Sequence, residues 1–186
     1  MIPQMIPLFG DQEKENVTQY MDNVGFITEF QLTSEFEREI EKYTDIKNCI
    51  VVNNGTVALM AAYYAAGLRA GDEILIPNYT MFATYSAAKV LGLNVILVDC
   101  EPHGGWVDIG DLSKKISNKT KAFVTVATNG RYPKIGYGQF RKLATEHNLM
   151  WIEDAAQALG SLDLDGLHIG SKADIATISF SAPKII

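Results

Sequence analysis

Residues 73–98 run Glu73-Ile-Leu-Ile-Pro-Asn-Tyr-Thr-Met-Phe-Ala-Thr-Tyr-Ser-Ala-Ala-Lys-Val-Leu-Gly-Leu-Asn-Val-Ile-Leu-Val98. The ends, Glu73–Ile76 and Asn94–Val98, are short apolar runs that read as strands, and Phe82–Leu91 between them reads as a helix. Two strands joined by a helix make a βαβ unit, since parallel neighbours need a crossover connection. The alternation extends both ways. Upstream, residues 33–44 place Phe36, Ile40 and Tyr43 on one helical face, with Thr33 or Ser34 as N-cap. A strand-like run, Cys49–Val52, then leads into Asn53-Asn-Gly-Thr56 and a helix ending near Gly67. Downstream come a short helix over 108–116, a strand over 122–126, a helix over 138–147, and strands over 150–153 and 175–179. Residues 1–32 read as an irregular arm with a short helix around 11–22.

The strands are near-continuous apolar runs, the pattern of strands covered on both faces. Alternating βα units of this kind predict an α/β protein, a three-layer α/β/α domain with a mainly parallel sheet. Ligands in such sheets bind beyond the carboxyl ends of the strands. That rule selects Asn53–Thr56, Pro77–Met81, Asp154–Gln157 and Ser179–Lys184.

Composition narrows the function classes. The chain has 186 residues, 47% hydrophobic and 20% charged, and a net charge of −6 with pI near 5.0. This is a globular composition, and its acidity argues against nucleic-acid or anionic-membrane partners. Two cysteines are too few for a disulfide framework and read as small apolar residues in a reducing compartment. The longest apolar stretch, 56–68, is too short to span a bilayer, and the first residues lack the pattern of a secretory leader, so a cytoplasmic protein is expected. His103, His147 and His168 show no metal-ligand spacing, and no metal is expected. Walker and dinucleotide-binding glycine motifs are absent.

Each strand-end cluster supports two readings taken alone. Asn54-Gly-Thr56 suits a phosphate at a helix N-terminus, and equally a tight turn with a Thr cap. Asp154 is either a site acid or a cap for the next helix. Lys184, among small and apolar residues, is either an amine nucleophile or a surface lysine. Together they supply an anion site, a carboxylate for a pyridinium nitrogen and a Schiff-base lysine, the parts that a pyridoxal-phosphate enzyme needs.

On these residues the sequence also resembles the DegT/DnrJ/EryC1/StrS family of sugar aminotransferases, pyridoxal-phosphate enzymes of fold type I. The resemblance is carried by Ile6-Pro-Leu8, Asn54-Gly-Thr-Val-Ala-Leu59, Gly71-Asp-Glu-Ile-Leu-Ile-Pro77 and Thr80-x-x-Ala-Thr84. It continues through Asn129-Gly-Arg131, Ile152-Glu-Asp-Ala-Ala-Gln157 and Ser179-Phe-Ser-Ala-Pro-Lys184. Single pieces are weak, but Glu-Asp-Ala-Ala-Gln157 followed by the lysine 27 residues later is specific. The resemblance implies that Lys184 is the Schiff-base lysine and Asp154 the partner of the pyridine nitrogen, with Gln157 beside the ring hydroxyl. Gly55, Thr56 and Ser179 would cradle the phosphate. Met81 stands where the family usually stacks an aromatic on the ring, with Phe82 beside it expected to point into the packing.

The implied reaction transfers an amino group, from glutamate, to a keto-sugar nucleotide in a homodimer with a shared active site. Two segments depart from the family's substrate side: Gly25-Phe-Ile-Thr-Glu-Phe30 lacks its usual Gly-Pro, and Tyr-Pro-Lys follows Arg131. Rival expectations are a sugar dehydratase of the same fold, which carries a histidine where Lys184 stands, and a non-catalytic pyridoxal-phosphate-binding regulatory protein. Family members run to roughly twice this length, as two domains would predict. The expected organisation is therefore an N-terminal arm over 1–32 and an incomplete pyridoxal-phosphate-binding large domain over 33–186, without a C-terminal small domain.

Overall fold

The structure is a computed structural model that describes residues 9–23, 31–182 and 184. Two compact units divide the chain, one ending at Val51 and the other beginning at Val52. Ile6-Pro-Leu8 and the Gly25–Phe30 stretch lie outside the described residues.

The first unit holds α1 (Asp11–Asn23) and α2 (Gln31–Thr44). α1 buries none of its residues, whereas α2 buries Ile40 and Thr44. Because α2 already runs from Gln31, Thr33 and Ser34 lie inside its first turn and neither is its N-cap. The strand-like run after it forms no strand. The Cys49 and Val51 N–H groups donate to carboxylates on α2, Glu41 Oε1 and Glu37 Oε1, each at 2.8 Å. Side chains from the helix thus take up donors that a sheet ladder would otherwise satisfy.

Among the described residues the second unit contains five strands: β1 (Glu73–Pro77), β2 (Asn94–Val98), β3 (Thr120–Val126), β4 (Met150–Asp154) and β5 (Ile175–Thr177). They form one parallel sheet in the order β2-β1-β3-β4-β5. Helices α3 (Gly55–Ala65), α4 (Phe82–Val90), α5 (Ile109–Lys115) and α6 (Tyr137–His147) complete the unit. β5 stops at Thr177, two residues short of the expected strand. Strand alternation divides the core between two faces. Ile74, Ile76, Ala122, Val124 and Ile152 pack with Leu59, Ala62 and Tyr63 of α3 and with Ala87 and Ala88 of α4. Leu75, Phe123 and Trp151 pack on the opposite face with Leu112 of α5 and with Phe140 and Leu143 of α6. The result is the expected three-layer α/β/α arrangement.

The second face is aromatic. Phe123 and Trp151 stack with ring centroids 6.1 Å apart, and Phe140 and Tyr137 sit within 6 Å of the Trp151 ring. The Trp151 indole N–H donates to the buried Thr125 hydroxyl at 2.9 Å, so its one polar group is satisfied. Outside this layer, Phe82 is 72% exposed and does not enter the packing as the sequence suggested; its ring lies against Tyr85.

The chain order reverses at β1: β2 lies on one side of it and β3 on the other. Connections leaving a switch point of this kind diverge to opposite faces and open a crevice at the strand ends. The loops leaving β1 and β3 border that crevice.

Phe123→Ala should remove the centre of the aromatic layer and cost about 3–5 kcal/mol of stability. Chemical denaturation followed by tryptophan fluorescence would measure it, and an unchanged midpoint would show that the layer does not hold the sheet.

Candidate functional site

A cavity of about 490 Å³ lies at the carboxyl ends of the strands, within the size range of small-molecule sites. Gly55, Thr56, Met81, Asp154, Gln157, Ser179 and Lys184 all line it. Residues from four separate segments therefore meet in one place.

The α3 end of the cavity is an anion cradle. Asn54, not Thr56, is the N-cap, its Oδ1 accepting from the Val57 N–H at 2.9 Å. The first residues of a helix lie outside the intrahelical ladder, so the Gly55 and Thr56 N–H groups are available at the positive end of α3. The Thr56 side chain is consequently free of capping duty. Across the cradle stands Ser179, 9% exposed. A Cβ at position 55 would lie 3.4 Å from Ser179 Cβ and 3.5 Å from its Oγ, so a larger side chain there would fill the space between them.

The acid of the site sits at the end of β4. Strand alternation sends Glu153 and Asp154 to opposite faces, and the two carboxyls have separate surroundings. Asp154 is 4% exposed. Its Oδ2 accepts from the Thr84 hydroxyl at 2.7 Å and its Oδ1 from the Ala156 N–H at 3.2 Å. Burial raises its pKa, while Thr84, Ala156 and the positive charge of Lys184 act against that rise. The Thr84 hydroxyl also pairs with that of Thr80 at 2.8 Å, and the Thr84 carbonyl accepts from the buried Tyr63 hydroxyl at 2.9 Å. Sequence reading quoted Thr80 and Thr84 without giving them a role. Their signal was visible: two hydroxyls one helical turn apart at the opening of α4, on the same face.

Gln157 Oε1 accepts from the Asn129 N–H at 2.8 Å, which turns the amide so that its N–H₂ donors remain for the cavity. Asn129 holds φ 56°, in the left-handed region that Asn tolerates. Met81, also on the cavity lining, is 62% exposed. The Lys184 backbone N–H donates to the Ser181 carbonyl at 2.8 Å in a tight turn.

Glu153 has the other environment. It is fully buried, with Oε1 accepting from the Tyr137 hydroxyl at 3.0 Å. Burial pushes its pKa up to about 8, against the opposing effect of the Tyr137 bond, and burial also pushes up the Tyr137 phenol. Tyr137 is thus a core residue. The cysteines are half-buried, and burial raises the pKa of both thiols, so neither is an activated nucleophile. Among the described residues no group of three or more His, Cys, Asp or Glu side chains could hold a metal, and no helix is long and apolar enough to cross a membrane.

Two pH-linked outcomes follow. Thr84→Val is nearly isosteric and leaves a buried carboxylate oxygen without its donor, at a cost of about 1–3 kcal/mol. Because the lost bond favours the ionised acid, the fall in urea midpoint should grow as pH rises from below the ordinary aspartate value of 3.8 through the raised folded value; a loss independent of pH over that whole span would separate Thr84 from the Asp154 charge. For Glu153, the folded state retains a proton that the unfolded chain releases above the ordinary value near 4.5. Its contribution to stability is full below that value and is lost as pH rises toward about 8. Glu153→Gln should flatten this fall, and a slope equal to that of the parent would refute the assignment.

Comparison with known proteins agrees with this geometry. Residues 7–186 match the DegT/DnrJ/EryC1/StrS aminotransferase family. The GDP-perosamine synthase of Escherichia coli O157:H7 is 34% identical over 185 residues, covering 100% of this chain and 50% of that protein. A pleiotropic regulatory protein of Geobacillus stearothermophilus is 30% identical, covering 94% of this chain and 47% of its own length. The chain spans about half the length of the curated relatives it matches. Among solved structures, Spr1654 of Streptococcus pneumoniae, described as a sugar aminotransferase, superposes with a TM-score of 0.90 at 27% identity. It covers 98% of this chain and 50% of that one, in a pyridoxal-phosphate form; a pyridoxamine-phosphate form is also known. An aminotransferase from Psychrobacter cryohalolentis gives 0.88 at 30% identity, covering 97% of this chain and 45% of that one. The cofactor indicated is pyridoxal 5′-phosphate, and the anion cradle, buried acid and lysine of the cavity fit it. The chain belongs to the DegT/DnrJ/EryC1/StrS aminotransferase family.

Proposed function

We propose that the protein transfers an amino group from an amino-acid donor, glutamate, to a keto-sugar nucleotide. The single observation that carries this reading is one cavity lined at once by a helix-end anion cradle, a buried acid and Lys184. The names of the relatives in Escherichia coli, Caulobacter vibrioides and Vibrio cholerae, all GDP-perosamine synthases, support a GDP-linked sugar as acceptor.

Pyridoxal phosphate, when bound, supplies an electron sink for the carbanion formed at the substrate carbon. The residues of this chain would do the rest. The Gly55 and Thr56 N–H groups, with the Thr56 and Ser179 hydroxyls, hold the phosphate at the positive helix end. Asp154, whose ionised form Thr84, Ala156 and the lysine charge favour against the cost of burial, would accept the N–H of the pyridine ring. The Gln157 amide donates toward the ring hydroxyl. Met81 covers a ring face with a polarizable thioether in place of an aromatic ring. Lys184 would hold the cofactor through its amine and would carry a proton to and from the substrate carbon. The working unit is proposed to be a cytoplasmic homodimer whose partner subunit completes the site.

The regulatory name of the Geobacillus stearothermophilus relative favours a second reading, a cofactor-binding protein without turnover. Adding glutamate to the cofactor-loaded protein separates the two: conversion of the cofactor spectrum supports the transaminase, and a static spectrum supports the regulator. Lys184→Ala should abolish both turnover and borohydride trapping of the cofactor; normal activity in that variant would end the proposal. Asp154→Asn should lower turnover by about 100-fold or more while the unfolding midpoint holds, on the scale of a lost general electrostatic contribution. An unchanged rate would remove Asp154 from the mechanism.

A further inference from the structure

A second cavity of about 320 Å³ adjoins the first, and Tyr79, Thr128 and Asn129 line both. It is built from the loops that leave β2 and β3, and Glu101, His103 and Arg131 form its polar wall. The loops are pinned together. The Trp106 indole donates to the Arg131 carbonyl at 3.0 Å, and the Cys100–Val107 bridge closes the 101–106 turn, with the Glu101 N–H on the Trp106 carbonyl at 2.8 Å. Gly105, at φ 72°, lies so close to Tyr79 that a Cβ would meet its ring carbons at 3.2 Å. The Tyr79 ring thus has one side against Gly105 and is 57% exposed. Among the described residues, neither Arg131 nor Glu101 makes an ion pair. The Thr128 hydroxyl, on the wall shared with the first cavity, is buried without a partner.

From this set of groups we infer that the second cavity holds the hydroxylated sugar ring of the acceptor. A sugar hydroxyl donates well to a carboxylate and accepts well from a guanidinium or an amide, and Glu101, Arg131 and Asn129 offer these three chemistries together. The carbon-bound hydrogens of one sugar face are apolar and suit the exposed Tyr79 ring. A lone phosphate or carboxylate would suit Arg131 but be repelled by Glu101, so the pairing of opposite charges favours a neutral polyol over an anion. Continuity through Tyr79, Thr128 and Asn129 lets a ring seated here turn the edge that bears its keto carbon into the cavity of Lys184. The inference rests on the proposed sugar acceptor and assigns it a place.

Calorimetric titration of the purified protein with GDP-perosamine, GDP and glutamate tests it. Glu101→Gln and Arg131→Ala should each weaken GDP-perosamine by about tenfold, the scale of one lost charge-assisted hydrogen bond, and leave GDP and glutamate as in the parent. Lys134→Ala, on the same loop but outside the cavity, should bind all three normally. Equal weakening of GDP and GDP-perosamine would make this a phosphate or nucleotide site, and weakening of glutamate alone would make it the donor site; either overturns the assignment. Parental affinity in both variants overturns it as well, while a parent protein that binds glutamate but not GDP-perosamine refutes the acceptor reading beneath it.

Discussion

Consecutive residues of a strand face opposite ways, and β4 puts that constraint to use at its last four positions. Trp151 and Glu153 enter the layer covered by α6, while Ile152 and Asp154 enter the layer covered by α3 and α4. Neighbouring carboxyls thereby acquire different characters. Glu153, under an aromatic layer with one phenol as donor, holds its proton to about pH 8. Asp154, with a hydroxyl, a backbone N–H and a nearby lysine charge, has three influences that favour the ionised form. A one-residue slip in register would exchange them. The pairing of Val126 with Asp154 and of Asp154 with Thr177 fixes that register from both sides.

The remaining parts of the site depend on that fixed point. Thr84 reaches Asp154 because α4 follows β1 across the sheet, and Tyr63 of α3 anchors the backbone of Thr84 in turn. The anion cradle needs α3 to begin at Gly55, which Asn54 secures by capping Val57. The switch in strand order at β1 separates the loops and opens the crevice between them. None of these elements is catalytic by itself. Their joint effect is one pocket that gathers an anion cradle, a buried acid and a lysine.

Much of this was legible in the residues. The βαβ reading of 73–98, the parallel strands and the four strand-end clusters follow from apolar period and turn chemistry, which act locally. The Asp154–Lys184 combination was legible because its residue types serve few other purposes together. Other features depend on contacts that sequence distance conceals. Cys49–Val52 has strand composition, but Glu37 and Glu41 take its donors. Phe82 has a core residue's composition, yet its position on α4 leaves it exposed. Thr56 looked like a cap until Asn54 proved to fill that role.

The sequence by itself determined the order and type of the elements, the two-sided burial of the strands and the chemical identity of the groups at their ends, because each depends on local periodicity and side-chain chemistry. Only the tertiary structure decided which of those groups share a cavity, which carboxyl feels the Lys184 charge and which hydroxyl bonds it. It also placed Tyr79, Glu101, Asn129 and Arg131 around a second cavity beside the first. The physical reason is distance along the chain: Thr84 and Asp154 are 70 residues apart, and the strand order brings them within 2.7 Å.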